Sequence, residues 1–83
     1  MAVYIALLRK EPDRDYEVSF PDLPGCETSA PSLGTAHTLA KEVLEFHIEA
    51  LVEAGTPIPA ASSLEQIRAQ PASRNAMAFP IEV

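Results

Sequence analysis

A strand that runs directly into a corner with two prolines is the feature that most constrains this fold. Tyr16, Val18 and Phe20 alternate with polar residues, which is the period-two pattern of a strand with one buried and one wet face. The sequence PDLPG at positions 21–25 ends that strand, because proline fixes φ at about −65° and glycine tolerates positive φ. The chain must turn at this place, and so closely specified a corner predicts that its position matters.

The other alternating segments predict a small sheet. Residues 3–9 are apolar at both parities, so this strand needs cover on both faces. Residues 26–30 alternate after the corner and complete a three-stranded meander, and residues 77–83 alternate as a last strand. Pro80 has no N–H for a ladder, which predicts that the last strand lies at a sheet edge or turns this position outward.

An amphipathic pattern predicts one long helix over residues 35–54. Ser32 or Thr35 is the expected N-cap, and Gly55 is the stop signal at the other end. At about 100° per residue, one broad arc is apolar and the opposite side is polar and rich in glutamate. The expected buried arc consists of Ala36, Leu39, Ala40, Val43, Leu44, His47, Ala50, Leu51 and Ala54.

A linker and a short helix lead to the last strand. Residues 56–61, TPIPAA, form an extended linker, because each proline biases the preceding residue away from the helical region. Ser62 or Ser63 then caps a helix over residues 64–69, with a capping box three residues on. The element order is therefore βββααβ.

This order predicts an α+β fold with a four-stranded mixed sheet of order 3-2-1-4. A helical crossover before the last strand allows that strand to run parallel to the first, and a right-handed connection places it beside the first. One long helix covers one face, so the other face or an edge is expected to contact another chain. We expect a homo-oligomer, as a dimer or tetramer, or a hetero-complex.

Length and charge restrict the partners. The 83 residues predict one domain over residues 1–83. Twelve acidic and six basic side chains give a formal net charge of −6, so direct nucleic-acid binding is not expected. Cys26 is the one cysteine, which excludes an intrachain disulfide. The N-terminus lacks the signal-peptide pattern and no apolar run reaches about 18 residues, which predicts a soluble cytoplasmic protein without a membrane partner.

The side chains that could carry chemistry lack the arrangement that catalysis needs. Asp22 is a common turn residue, and Glu17 and Glu27 belong to the outward parity of their strands. His47 has no second histidine, cysteine or carboxylate three or four residues away, so a core or interface histidine is favoured over a ligand. Cys26 is expected to be a small buried side chain rather than a nucleophile. No catalytic residue, metal site or cofactor is predicted.

The chain resembles the HicB antitoxin family in the run YEVSFPDLPGCETSAPSLGTAHTLAKEVLEFHIEALVEAGTPIP. Residues 16–26 match the family's signature aromatic-x-V-x-F-P-D-L-P-G-C. Residues 44–55 match the helix pattern L-x-x-H-I-x-x-L-x-x-x-G, and a P-I-P linker follows. The resemblance covers residues 3–60 at the level of motifs and the entire chain at the level of element order.

The resemblance implies a partial RNase H-like fold without the acidic catalytic set of that fold, and a role in binding. Members of the family act in type II toxin–antitoxin systems and neutralise HicA-like toxins, which are small basic proteins that cut or block mRNA. An acidic domain suits such a partner, because opposite charges speed encounter. The residues expected to bind the partner are Phe20, Asp22, Leu23 and Gly25, with formation of the fold as an alternative role for Phe20 and Gly25.

One departure from the family and two alternative functions remain. Many HicB-like proteins continue past the last strand into a DNA-binding module, whereas this sequence ends at Val83, so a single-domain member without that module is expected. The first alternative is a homo-oligomeric HicB-like domain without a toxin partner. The second is a residual nuclease that uses Asp22 with Glu17 or Glu27 to hold Mg²⁺.

Overall fold

The strands and helices follow the predicted order. The computed structural model describes residues 2–83, apart from the side chain of Ala72. Each predicted element lies within two residues of its observed position, which confirms the α+β class. The elements are β1 (Val3–Lys10), β2 (Tyr16–Ser19), β3 (Glu27–Ala30), α1 (Leu33–Glu53), α2 (Leu64–Arg68) and β4 (Met77–Glu82), with a 3₁₀ turn, Pro71–Ser73, before β4.

All neighbouring strands of the sheet are antiparallel. The strand order is β3-β2-β1-β4, as predicted. Leu8 of β1 lies opposite Val18 of β2 on one side and opposite Met77 of β4 on the other. β4 is an edge strand with Pro80 exposed, as the sequence predicted. The predicted mixed sheet is wrong, because β4 runs antiparallel to β1 rather than parallel to it.

Two crossings of the sheet, rather than one, explain the direction of β4. α1 returns along one face to the end of the sheet where β1 begins, and there the Tyr4 hydroxyl donates to the Pro59 carbonyl (2.6 Å). α2 and the 3₁₀ turn then lead the chain over the second face to the far end, where Met77 pairs with Leu8. The second crossing reverses the chain once more, so β4 enters the sheet in the opposite sense to the prediction.

α2 covers the face of β1 that α1 does not reach. Tyr4 and Leu8 pack in the larger core cluster, which lies beneath α1. Ile5 and Leu7 point to the other face and pack with Ile67 of α2, whose side chain is fully buried. Burial on both faces explains why β1 is apolar at both parities. α2 therefore covers part of the face that was expected to contact another chain.

Ser32 caps the start of α1, because its Oγ accepts a hydrogen bond from the Thr35 N–H (3.2 Å). Two residues of the predicted arc, Ala50 and Ala54, are exposed instead of buried. A helix of 21 residues is about 31 Å long, whereas β2 and β3, at four residues each, span about 13 Å, so the last turns extend beyond these strands. Within residues 2–83, no helix has the length and apolar character needed to cross a membrane. The fully buried residues of α1 are Ala36, Ala40 and Leu44.

Candidate interaction surfaces

The corner after β2 is closed by its own backbone hydrogen bonds. The Phe20 N–H donates to the Cys26 carbonyl (3.2 Å), the Leu23 N–H to the Phe20 carbonyl (3.0 Å), and the Cys26 N–H to the Leu23 carbonyl (2.9 Å). Gly25 has φ +87°, a conformation that residues with a Cβ rarely adopt. These bonds fold the corner into a compact loop that returns the chain directly into β3.

The structure separates the four predicted partner-binding residues. Phe20 and Leu23 are buried, at 2% and 1% exposure, and belong to the core cluster beneath α1. Asp22 is half-buried and Gly25 is exposed. The corner is therefore specified closely in sequence because it places two large side chains in the core. Its role in partner binding stays a prediction, in which Asp22 and Gly25 are the accessible members.

Asp22 fastens the linker across the end of the sheet. Its Oδ2 accepts from the Ser62 N–H and its Oδ1 accepts from the Ser62 hydroxyl, each at 2.7 Å. The bond from Tyr4 to the Pro59 carbonyl holds the same linker three residues earlier. Burial raises the pKa of the Tyr4 phenol, and the nearby Asp22 charge adds to this rise. Both carboxylate oxygens of Asp22 thus serve the connection between α1 and α2.

Cys26 is a buried side chain, as predicted. Its thiol is fully enclosed and lies 3.8 Å from the Val43 carbonyl of α1. Burial, with a smaller contribution from the Glu27 charge, raises the pKa of the Cys26 thiol to about 11. A thiol with so high a pKa is almost wholly protonated at neutral pH, which makes it a poor nucleophile.

The raised pKa of Cys26 predicts a loss of stability in alkali. The ordinary pKa of the thiol is 9.0, so above this pH the unfolded chain releases a proton that the folded chain still holds. The contribution of this group is complete below pH 9 and decreases as the pH rises towards 11. We expect urea unfolding free energies to fall by on the order of 1 kcal/mol more between pH 8 and pH 10.5 in the wild type than in Cys26→Ala. An equal fall in both proteins would contradict the assignment.

The carboxylates proposed for a residual nuclease occupy different environments. Glu17 and Glu27 are exposed on the second face of the sheet, near Arg9, where they line a polar hollow over β1, β2 and β3. Asp22 lies in the corner with both oxygens bonded to Ser62. Across residues 2–83, no group of three or more histidine, cysteine or acidic side chains is placed to hold a metal ion. The geometry gives this alternative no converging set of ligands.

The two histidines lie on α1 in different settings. His37 is exposed near the start of the helix and its ring stacks on Phe79 of β4, with 5.5 Å between ring centroids and 28° between planes. His47 is half-buried, in the middle of the helix. Contact with an aromatic ring gives His37 a packing role that the sequence did not predict.

A groove without charged residues lies between the start of α1 and β4. It has a volume of about 310 Å³ and contains the His37 and Phe79 rings. Leu33 and Met77, each 52% exposed, lie at its margins. We call this surface the α1–β4 groove; its lining residues are Leu8, Leu33, His37, Met77, Ala78 and Phe79.

The outer side of α1 is acidic and is bordered by two exposed apolar side chains, Phe46 on one flank and Val52 on the other. All its members are exposed, and Phe46, at 73%, is the most exposed large apolar side chain in the part of the chain described. Within residues 2–83, none of its glutamates forms an ion pair. We call this surface the acidic face of α1; it consists of Glu42, Glu45, Phe46, Glu49 and Glu53, within an arc of about 100°.

Sequence reasoning missed Phe46 and Ser62. The available signal for Phe46 was its place outside the apolar arc, with Glu42 and Glu49 one turn away on either side. No local signal links Ser62 to Asp22, since 40 residues separate them. Long-range side-chain contacts of this kind appear only when the path of the chain is known.

The fold defines a class of small α+β domains, in which one long helix and a short second helix cover opposite faces of an antiparallel sheet of order β3-β2-β1-β4. The chain belongs to the HicB-like antitoxin family. The sequence model of the family described as "HicB_like antitoxin of bacterial toxin-antitoxin system" matches residues 4–83. This match confirms the resemblance read from the corner and helix motifs.

Known proteins share the fold over nearly the entire chain. The crystal structure of the Burkholderia pseudomallei antitoxin HicB superposes with a TM-score of 0.90 at 25% identity, over 100% of this chain and 64% of that one. A HicA3 and HicB3 toxin–antitoxin complex contains a chain with the same fold, at TM-score 0.79 and 23% identity, over 96% of this chain and 95% of that one. An uncharacterized 14.9 kDa protein of Haemophilus phage HP1 (strain HP1c1) is 35% identical over 68 residues, which are 82% of this chain and 51% of the phage protein. The chain therefore spans about half the length of this relative.

Proposed function

We propose that this chain is an antitoxin of a type II toxin–antitoxin system that binds and neutralises a small basic HicA-like toxin in the cytoplasm. The observation that carries the proposal is the likeness of the complete chain to the antitoxin HicB, at a TM-score of 0.90, within a family of antitoxins. The similarity to a chain of a HicA3 and HicB3 complex supports a HicA-like protein as the partner. The proposed action is binding rather than catalysis.

The charge of the chain supports a basic partner. A net charge of −6 attracts a basic protein at long range and repels phosphate backbones. A toxin that acts on RNA needs cationic surface, so an acidic antitoxin competes with RNA for the same charges. In this proposal the corner contributes through Asp22 and Gly25 at its surface, while Phe20 and Leu23 act on binding by holding the corner in place.

Co-expression of this chain with a candidate small basic toxin, sought beside it in its genome, tests the proposal. We expect the basic protein alone to stop growth, and co-expression of this chain to restore growth and to yield a complex that purifies through both chains. An unrelated acidic domain of similar size and charge serves as the control, because charge alone must not rescue growth. If the basic protein is not toxic, or does not co-purify with this chain, the proposal that this chain neutralises a toxin is wrong.

A homo-oligomeric domain without a toxin is the second candidate. The α1–β4 groove favours it, because two chains of charge −6 meet at lowest electrostatic cost through surface without charged residues. If this chain forms a dimer or tetramer by itself in sedimentation equilibrium and no toxic partner is found, the homo-oligomeric function is favoured over the antitoxin function. Toxin binding and self-association are compatible if they use different surfaces.

A further inference from the structure

We propose that the acidic face of α1 is the surface that binds the toxin, with Phe46 as the apolar anchor of the contact. This inference rests on the proposed antitoxin function and adds the location and the chemistry of the interface. The occupant is a basic protein surface that offers an apolar pocket bordered by lysine or arginine. Such a surface combines the two properties that the acidic face of α1 presents.

Among residues 2–83, Phe46 belongs to neither of the two core clusters. It follows His37 by nine positions, which is a rotation of about 180° around the helix, and His37 faces β4. Phe46 therefore points away from β4, towards the β3 edge of the sheet. Phe46 is 73% exposed, with Glu42 and Glu49 on one flank and Val43 and Ala50 on the other. An exposed aromatic ring at the border of a charged surface suits an interface anchor, since one aromatic that becomes buried on binding often carries much of the binding energy.

The corner reaches α1 close to this ring. The Cys26 thiol lies 3.8 Å from the Val43 carbonyl, less than one turn before Phe46 on the helix. The exposed tip of the corner at Pro24 and Gly25 immediately precedes Cys26 in the chain. The acidic face of α1 and the corner thus lie at the same side of the domain, so one partner can contact both.

The glutamates of this face are placed against the stability of the helix itself. Glu45, Glu49 and Glu53 follow one another at intervals of four residues, at which like charges repel. The last turn of α1 carries no basic residue, although cations are favoured at a helix C-terminus. Lys41, the one lysine or arginine on α1, precedes Glu45 by four residues and can offset that charge, but it lies two turns or more from Glu49 and Glu53. A cationic partner bound to this face offsets both the repulsion among the glutamates and the lack of a basic residue in the last turn of α1.

Charge also distinguishes this occupant from a second copy of the chain. A symmetric contact through the acidic face would bring the same four glutamates of two chains together, which costs free energy when they are desolvated. A basic protein gains from each of these charges instead. The charge arrangement therefore commits the surface to a partner of opposite sign.

Binding measurements with the HicA-like protein that co-purifies with the wild type test the assignment. We expect Phe46→Ala to weaken binding about 30-fold, as truncation of an anchor residue does. Leu33→Ala is the matched control, because Leu33 is 52% exposed on the same helix but lies about 140° from Phe46, at the margin of the α1–β4 groove; the affinity of this variant should stay within about twofold of the wild type.

Charge removal gives a second, independent readout. We expect the double variant Glu49→Gln with Glu53→Gln to lower the association rate about tenfold and to reduce its dependence on salt. The same variant should unfold at an equal or higher temperature than the wild type, because it relieves repulsion within α1. Glu65→Gln with Glu82→Gln removes the same charge from α2 and β4 and should retain most of the association rate.

Three results would overturn the assignment. Unchanged affinity in both Phe46→Ala and the double glutamine variant, with wild-type binding intact, would place the toxin elsewhere while the antitoxin function stands. A shift in oligomeric state with unchanged toxin affinity would make this face a contact between copies. If the wild type itself binds no HicA-like protein, the proposed function fails and the surface assignment fails with it.

Discussion

Replacing Leu23 by alanine should lower the free energy of unfolding by about 3 kcal/mol. Leu23 is 1% exposed in the core cluster beneath α1, and the backbone bonds that close the corner from Phe20 to Cys26 hold it there. Truncation removes buried apolar contacts and leaves a cavity that this bonded loop cannot readily close. For 83 residues, the expected total stability is about 4–12 kcal/mol, so the loss is a quarter of it or more. Urea denaturation followed by circular dichroism measures it directly.

The matched control is the exposed neighbour in the same loop. Pro24→Ala changes the tip of the corner, where the side chain faces solvent, and should alter the free energy of unfolding by less than about 1 kcal/mol. Leu23→Met keeps the volume, so this variant should remain folded and bind the toxin as the wild type does. If Leu23→Ala kept its stability but lost toxin binding, the side chain would be a contact residue rather than part of the core.

The local elements of the fold could be predicted because each has a periodic pattern with its own start and stop signals. The strand ending at Phe20 alternates and is followed by two prolines, and α1 has Ser32 before it and Gly55 after it. The order of the first three strands followed from the short connections between them. The place of β4 beside β1 was predicted from a right-handed crossover to a parallel strand, and this place is confirmed although β4 runs antiparallel to β1. All these signals lie within a few residues of the element they define.

The direction of β4 could not be predicted by the same reasoning. It depends on whether the chain enters the sheet at the end where α1 finishes or first runs back along the sheet to the other end. α2 and the 3₁₀ turn take the second route, with Ile67 packed on Ile5 and Leu7. The apolar residues of β1 at both parities did indicate a cover for the second face, but the sequence did not identify α2 as that cover. A helix of five residues makes fewer than one and a half turns, which is too short for its sequence to show an apolar face.

The interaction surfaces were predicted less well than the fold, for a physical reason. Motif reasoning pointed to the corner, where Phe20 and Leu23 are buried in the core. In a single sequence, a residue that the core requires cannot be distinguished from a residue that binds a partner. Phe46 was missed because an apolar residue outside the buried arc of a helix has no structural pattern to match. Exposure, which separates these cases, is a property of the folded chain.

Removing the carboxylate of Asp22 should have the second largest effect on stability. We expect Asp22→Ala to lower the free energy of unfolding by about 2 kcal/mol, because two hydrogen bonds of 2.7 Å to Ser62 lose a charged acceptor. The half-buried Ser62 N–H is then left without its partner in the protein. Asp22→Asn retains one carbonyl oxygen at the same place and should lose about half as much.

A double-mutant cycle with Ser62→Ala separates the two bonds. Ser62→Ala deletes the hydroxyl but keeps the backbone N–H, so the coupling energy of the pair, about 1 kcal/mol, reports the bond between hydroxyl and carboxylate. The remaining loss in Asp22→Ala then belongs to the N–H bond that fixes the linker. Because this linker leads directly into α2, the amide of Ile67, which donates to the Ser63 carbonyl, should exchange its hydrogen faster in Asp22→Ala than in the wild type. A coupling energy of zero between Asp22 and Ser62, together with an unchanged hydrogen-exchange rate at the Ile67 amide, would mean that Asp22 does not hold the linker. The packing of Ile67 alone would then keep α2 on the second face of β1.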